Sequence, residues 1–429
     1  MAQPAPTPPT AAPPSPSPRQ SRLSLGRIAM FESFRYRDFR WMWAGSFVSF
    51  TAMMMQMITR GWLVLRIADD SPLALAFVMM SFAAPSTFVS LIGGALADRI
   101  SKKRLIVIGQ SGNAAMTAVL ALLDFTGVVA FWHVLAIGFA NGSMMALAMP
   151  SRQAILSEIV PECSLMNAIS LSNSGMNMTR IIGPALAGFL IVFIGTHGVL
   201  FLVSGTYLFA AASMAMVNAG ATPVAAPTGG VATDIKAGFV FAISDRAMQG
   251  VLVLMLLSIL FGSSYWALMP AWAREALDVQ SDGLGILMTI MGAGALVGTL
   301  GLAAVSNMTH RGLVLLVTCL MWGLSLAAFS QVTNYLAAVP FLLVLGLVNS
   351  VFMSLNMTMM QVLAPPEMRG RMMAIGMMTF GAMPLSAMPF GALAEVTGST
   401  PDALLISGVL LTVATLIFWA AHPTLRRLR

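Results

Sequence analysis

Gly93-Gly94-Ala95-Leu96-Ala97-Asp98-Arg99-Ile100-Ser101-Lys102-Lys103-Arg104 lies between two long apolar runs. Small residues end the first run, a lone Asp-Arg pair follows, and a basic cluster precedes the second. A short basic hairpin between two membrane helices is expected on the cytoplasmic side, because loop lysines and arginines set the orientation of a membrane chain. The surrounding composition supports two membrane helices here. Apolar residues make up 58% of the chain and charged residues 9%, against about 25% charged in a soluble domain. The mean hydropathy is +0.84, so the chain reads as a polytopic membrane protein. The net charge of +7 does not point to nucleic acid, because the basic residues flank apolar spans. No secretory signal peptide is expected at the start. Residues 1–34 read as a disordered cytoplasmic tail rich in Pro, Ala, Ser and Thr over the first twenty, a composition that cannot bury a core. Cys163 in a loop and Cys319 in a span cannot readily meet, so no disulfide is expected.

A helical span needs about 20 mostly apolar residues. Such windows fall near 42–66, 73–97, 105–124, 131–157, 170–194, 198–218, 249–273, 283–306, 313–331, 336–362, 370–394 and 403–421, twelve in all. With the N-terminus inside, Arg35, Arg37, Arg40, Lys102, Lys103, Arg104, Arg246, Arg311, Arg369 and Arg371 share that side, while Asp69, Asp70, Glu275, Asp278 and Asp402 face the other. Both termini are therefore expected in the cytoplasm. The halves repeat at an offset of about 205 residues: Pro161 with Pro366, Pro184 with Pro389, Gly94 with Gly298, and Gly195 with Gly398. Six spans (35–218), a cytoplasmic linker with a short interfacial helix (219–248), six more spans (249–422) and a basic tail (423–429) is the layout of parallel repeats, with a substrate site between them at mid-membrane.

The spacing Gly94-x-x-x-Asp98-Arg99-x-x-x-x-Arg104 between the second and third spans resembles the signature of the major facilitator superfamily. The resemblance covers roughly residues 35–422, and more narrowly follows the branch of enterobactin exporters and macrolide efflux pumps. Pro150–Pro161, Asn177–Gly188 and Gln361–Arg371 resemble the end of span four, span five and loop 10–11 of that branch. The fold implied is all-α and integral to the membrane, with twelve transmembrane helices in two six-helix pseudo-symmetric halves. By the same resemblance, Asp98 would latch the cytoplasmic side against the start of span eleven near Arg371, with Arg99 and Arg104 completing that gate. A plain topogenic basic loop is the alternative. The resemblance also makes Gly183, Pro184 and Gly188 helix-packing residues. One departure matters: drug antiporters carry an Arg before a Gln-x-Gly in span four, and Gly138-Phe139-Ala140-Asn141-Gly142 stands here instead, so that residue's coupling role does not carry over.

Charged residues inside spans are costly and face a cavity or a partner. Arg152, Glu158 and Arg180 are read as an intramembrane charge cluster, either coupling or strutting the fold. Arg60 is read on the substrate path together with Gln56, Trp62, Asn141, Tyr265, Trp266, Asn349 and Asn356. Asp38, Asp124, Glu158 and Glu395 are the candidate proton carriers, with Glu158 first. Methionines crowd spans one (Met53, Met54, Met55, Met57), four (Met144, Met145, Met149) and ten (Met353, Met357, Met359, Met360). They read as apolar filling, or as an adaptable substrate surface. No metal-ligand spacing, nucleophile motif or phosphate loop stands out, so neither an enzyme nor a bound cofactor or metal is expected, and energy should come from an ion gradient. The expected partners are a small-molecule substrate, protons and the lipid bilayer, without nucleic acid, and the chain is expected to work as a monomer in the inner (plasma) membrane. Export of a small amphipathic, siderophore-like or drug-like molecule by alternating access and proton antiport leads. Import of a metabolite or lysophospholipid, and a non-transporting scaffold or sensor, stay open as alternatives.

Overall fold

In the computed structural model the described residues are 29–97, 101–218, 240–304, 310–365, 368, 372, 375–376, 379 and 382–426; they form helices joined by short turns, and no strand occurs among them. The first four helices are α1 (Arg37–Ile67), α2 (Pro72–Ala97), α3 (Lys102–Phe125) and α4 (Phe131–Ala154). A one-turn helix, Leu156–Ile159, leads to a continuous run Glu162–Ala215 that is interrupted at Gly195 (φ 68°, ψ 176°). Only glycine adopts this backbone without strain, and it splits the run into α5 (162–194) and α6 (196–215). The remaining long helices are α7 (Arg246–Leu277, interrupted at Ser263), α8 (Ser281–Ala304), α9 (Arg311–Ser330), α10 (Tyr335–Leu363), α11 (Met383–Thr397) and α12 (Thr400–Ala421), followed by a single turn, Pro423–Arg426.

Eight helical segments among the described residues are long and apolar enough to cross a bilayer, and one of them contains both α5 and α6. The 31-residue α1 is not among the eight; Ser49, Gln56, Thr59 and Arg60 dilute its apolar character. Side chains of α2 and the stretch before α11 are described only in part. The chain is an all-α, multi-pass membrane protein. Two boundaries differ from expectation. The fifth helix starts at 162 rather than 170, because Pro161 supplies a non-helical cap (φ −62°, ψ 155°) just before it. Residues 29–35, most of them read as tail, form a 3-10 helix docked on α5: the Ser33 hydroxyl donates to Asn167 Oδ1 (2.7 Å), and Phe34 packs edge-on against Phe39 and Trp43. Residues 1–28 and most of the interfacial helix read near 234–243 lie outside the described residues.

Packing groups α1–α6 and α7–α12. The second group has an aromatic core built from Trp272, Trp322, Phe329 and Phe352, all fully buried. The two groups meet along α5 with α8 and along α2 with α11. At the α5–α8 seam Gly188 and Gly285 touch backbone to backbone: a Cβ on Gly285 would stand 2.9 Å from Gly188 Cα and 2.9 Å from the Pro184 carbonyl. On the α2–α11 side Ala76, Ala267 and Ala387 form a small apolar plug, and a Cβ on Gly391 would meet Ala76 at 2.9 Å. Gly188, Gly285, Ala76 and Gly391 all belong to the distal end of the helices, the end away from the entry into α1.

Small residues allow this close approach in a membrane, where no hydrophobic drive pulls helices together. Gly285→Val should therefore disturb docking of the groups and lower the melting temperature of the purified protein, while Gly301→Val, where an added Cβ meets nothing within 4 Å, should leave it unchanged. Equal melting temperatures for the two variants would refute the close-packed seam.

Candidate functional site

The first group differs from the second in having a buried polar interior. On α1, Ser49, Gln56 and Arg60 fall on one face by helical spacing; on α3 Gln110, Asn113 and Thr117 do the same; on α4 Asn141 and Arg152, eleven residues apart, share a stripe. The structure brings these stripes together. Arg60 Nη2 donates to Asn141 Oδ1 (2.7 Å), and Asn141 Nδ2 donates to Asn113 Oδ1 (2.9 Å). Gln56 Nε2 donates to Thr117 Oγ1 (2.6 Å) and its Oε1 accepts from the Tyr207 hydroxyl (3.2 Å) on α6. Nearer the proximal end, Ser49 donates to Gln110 Oε1 (3.0 Å) and accepts from Arg152 Nη2 (3.4 Å), while the Arg152 guanidinium lies over the Phe50 ring at 5.1 Å. Arg60 and Arg152 are 4% and 8% exposed. Neither has a carboxylate partner among the described residues, and Arg60 Nε and Arg152 Nη1 have no hydrogen-bond partner there.

Arg180 has a different setting. It lies on α5 at the seam, where a Cβ on Gly292 of α8 would stand 3.2 Å from its carbonyl oxygen. Its side chain is exposed, although it belongs to the α5 face that packs on α8. It is within electrostatic reach of Tyr265 on α7, which is fully buried. Trp266 lies beside Tyr265 with ring centroids 5.6 Å apart and is half-buried. Above this point the groups are sealed at the distal end. Arg274 of α7 pairs with Asp70 (2.6 Å) and lies 6.0 Å from the Trp62 ring centroid; Ser71 donates to Glu395 Oε2 (2.7 Å). Asp69 and Asp70 both adopt left-handed backbone (φ 47° and 61°) in the turn that offers Asp70 to Arg274. Toward the proximal end, Asn173, Ser174, Met178 and Arg180 on α5 and Thr358 and Gln361 on α10 are exposed.

The expected Arg152–Glu158–Arg180 cluster is not brought together. Glu158 pairs with Lys102 on the surface, Arg152 turns into the first group and Arg180 turns to the seam. Gln56, Arg60 and Asn141 share the buried network, Trp62 belongs to the distal seal, and Tyr265 and Trp266 flank the seam. Asn349 is half-buried on α10. Asn356 is fully buried, its Nδ2 donating to the Val251 carbonyl (3.1 Å). Gly183 packs α5 on α1 against Met54, and Gly188, one turn beyond Pro184, packs α5 on α8. Arg104 is exposed; Asp98, Arg99 and Arg371 lie outside the described residues. Of the expected proton carriers, Asp124 is buried at the distal end, paired with Arg66 and hydrogen-bonded by Thr196, while Asp38 accepts from the Asn218 amide and Glu395 from Ser71. Ser49, Gln110, Asn113, Thr117 and Tyr207 were not singled out from sequence, although the spacing of 110, 113 and 117 signals a polar helix face. Among the described residues no group of three or more His, Cys, Asp or Glu could hold a metal.

A family model described as "transmembrane secretion effector" matches residues 28–426. The multidrug efflux pump Tap of Mycolicibacterium fortuitum is 25% identical over 86% of this chain and 91% of its own. The enterobactin exporter EntS of Shigella flexneri is 26% identical over 66% of this chain and 67% of its own. An uncharacterized MFS-type transporter of Bacillus subtilis, YfiS, is 30% identical over a third of each chain. Among solved structures, a POT family transporter in complex with a thioalcohol-conjugated peptide superposes with a TM-score of 0.75 at 13% identity, covering 91% of this chain and 96% of that one; this likeness concerns the fold.

Two outcomes follow from the geometry. Asn141→Leu removes the bond to Arg60 and leaves a buried guanidinium without it, so unfolding in a mild detergent should be easier by about 2–3 kcal/mol; an unchanged melting curve would show that the network contributes nothing. At the distal seal, Asp70→Arg and Arg274→Asp should each raise the reactivity of a cysteine placed at Ala76 toward a membrane-impermeant thiol reagent. The double swap should restore protection, and failure to restore it would mean the pair does not hold the seal.

Proposed function

The chain belongs to the transmembrane secretion effector family, and on that footing we propose that it is a secondary active exporter of the inner (plasma) membrane that moves a small amphipathic organic molecule by alternating access, with protons moving inward. The observation that carries this reading is Arg180. It is an exposed cation inside the fifth helix, 18 residues from its start at Glu162, on the seam between two groups that are sealed at one end. A charge in that position is costly unless it faces water or ligand, and a mid-membrane seam is where transporters built from repeats bind substrate.

The distribution of Lys and Arg supports placing the proximal end in the cytoplasm, so the distal seal would be the outward gate, closed in this conformation. Fold and family are those of transporters, and the relatives named as a siderophore exporter and a drug efflux pump support export of siderophore-like or drug-like molecules. No Walker-type loop is present in the sequence, which favours an ion gradient as the energy source. In this cycle Asp98, Arg99, Arg104 and Arg371 would close the cytoplasmic side when the distal seal opens, the carboxylate of Asp98 docking on the N-terminus of the eleventh helix.

Inverted membrane vesicles holding an acid-inside gradient test the proposal. Adding siderophores, macrolides and cationic dyes in turn, the gradient should dissipate with one class and persist with Asp98→Asn. No response to any of them from folded protein, or full response from the variant, would overturn antiport under this gate.

A further inference from the structure

The two halves share charge very unequally. Arg60, Arg152 and Arg180 all lie within spans of the first half, whereas 249–273, 284–304, 312–330, 335–363, 383–394 and 403–421 contain no Asp, Glu, Lys or Arg. The three arginines are not equivalent. Arg60 and Arg152 are buried and bonded inside their own half, to Asn141 and Ser49. Arg180 alone of the three is exposed, and it has no carboxylate partner among the described residues. Opposite it stands a half whose buried polar side chains, among the described residues, are hydroxyls, Asn356 and the indole N–H groups of Trp272 and Trp322, and whose Trp266 is half-buried beside Tyr265. The Ala76–Ala267–Ala387 plug closes the distal side next to Trp266.

We infer that the cavity is polarised to take an amphipathic anion, its charged group held by Arg180 on the first half and its apolar, preferably aromatic, body laid against Trp266 on the second. The inference rests on the transporter reading for its place in the cycle and on the charge distribution for its chemistry. A guanidinium offers paired donors that fit a carboxylate or phosphate, and a charge-assisted bond in a partly dry site is about twice as strong as a neutral one. A cationic ligand would meet Arg180 with Arg60 and Arg152 behind it and no acid in reach among the described residues. A neutral isostere would leave Arg180 desolvated without return. On the other wall, an indole face favours flat apolar rings. Two sources share this chemistry: a soluble aromatic acid, and an anionic lysolipid from the inner leaflet.

Calorimetric titration of the full chain in zwitterionic nanodiscs separates these. 2-Naphthoate, 2-naphthamide and 2-naphthylmethylammonium are matched in body and differ in charge, and lysophosphatidate against lysophosphatidylcholine tests the lipid source. We expect one anion, naphthoate or lysophosphatidate, to bind about tenfold tighter than its neutral or zwitterionic match, with the ammonium weakest. Arg180→Gln should remove that preference, Arg180→Lys should retain part of it, and Arg246→Gln, exposed at the proximal end, should not alter it. Trp266→Ala should weaken all naphthalene probes alike. If Arg180→Gln does not fold, the wild-type charge ratio and the Lys variant carry the decision. Absence of any anion preference in the wild type, or a preference unchanged in Arg180→Gln, overturns the inference. Selective binding without counterflow of the same probe in proteoliposomes would sink the transporter reading and leave the polarised site standing.

Discussion

Two guanidinium groups buried in one half of a membrane protein, without a carboxylate among the described residues to neutralise them, are the constraint around which this molecule is arranged. Each must be solvated by protein dipoles, because lipid supplies none. The cost of burying an ion is several kcal/mol even after relaxation. The first half meets it with amides and hydroxyls drawn from four helices: Asn113, Gln110 and Thr117 from α3, Asn141 from α4, Gln56 and Ser49 from α1, Tyr207 from α6. A partly satisfied network of this kind is sensitive to geometry, so α1, α3, α4 and α6 are tied to one another as a unit. Among the described residues the second half buries no charged side chain and packs largely on aromatic and aliphatic contacts, with Trp272 and Phe329 centroids 4.0 Å apart. The chemical asymmetry between pseudo-symmetric halves follows from this difference in interior.

The seam between the halves is made of other material. Glycine, alanine and backbone carbonyls form the contact at Gly188–Gly285 and at Ala76–Ala267–Ala387, surfaces with little side chain to interlock. Such surfaces separate and re-form without rebuilding a core. Polar latches sit at the rim, where Arg274 bridges to Asp70 and Ser71 to Glu395. Both latches include an exposed partner, and exposed pairs contribute only about 0–1 kcal/mol each. Strong packing inside each half and weak bonding between halves is what rigid-body rocking requires.

Much of the architecture was legible in the sequence because the signals are one-dimensional. Apolar run length gives spans, and the all-α membrane class follows from composition, whereas the start of the fifth helix at 162 depends on the Pro161 cap, which run length alone misses by eight residues. Gln56, Arg60 and Asn141 stand out as polar residues in apolar runs, but that signal reads them on a substrate path, and their joint burial inside the first half is visible only in three dimensions. The failure of Arg152, Glu158 and Arg180 to meet shows where such reading stops. Position in a run measures depth, and these three lie toward the same end of the bilayer. Contact depends on azimuth, which one helix sets only relative to itself. Arg152 shares a face with Asn141 and so points into the first half; Arg180 follows the seam face of α5, one turn before Pro184 and two before Gly188. Glu158 falls on the one-turn helix after α4, where Lys102 is its partner. Gln110, Asn113 and Thr117 form a polar face on α3 that spacing alone marks, but its partners became visible only when α1 and α4 were placed against it.

On the alternating-access reading proposed above, the same separation between interior and seam decides which charges would take part in the cycle. When two rigid halves rock, groups inside a half keep their neighbours and their solvation, so their electrostatic energy is nearly the same in both end states. Arg60 and Arg152 belong to this class, and their burial cost cancels from the conformational equilibrium. In the proposed cycle, groups on the seam would exchange water, ligand and protein surfaces as the halves rock, so their energy would differ between states. Arg180, Trp62 and Arg274 belong here. A ligand shifts such an equilibrium only through its different interaction with the two states. A ligand that engages Arg180 is therefore placed to change which end state is favoured, while one that reached only Arg60 or Arg152 would bind without moving the halves. On this reading the position of a charge relative to the seam, more than its depth in the membrane, separates an arginine that holds the fold from one placed to meet a ligand.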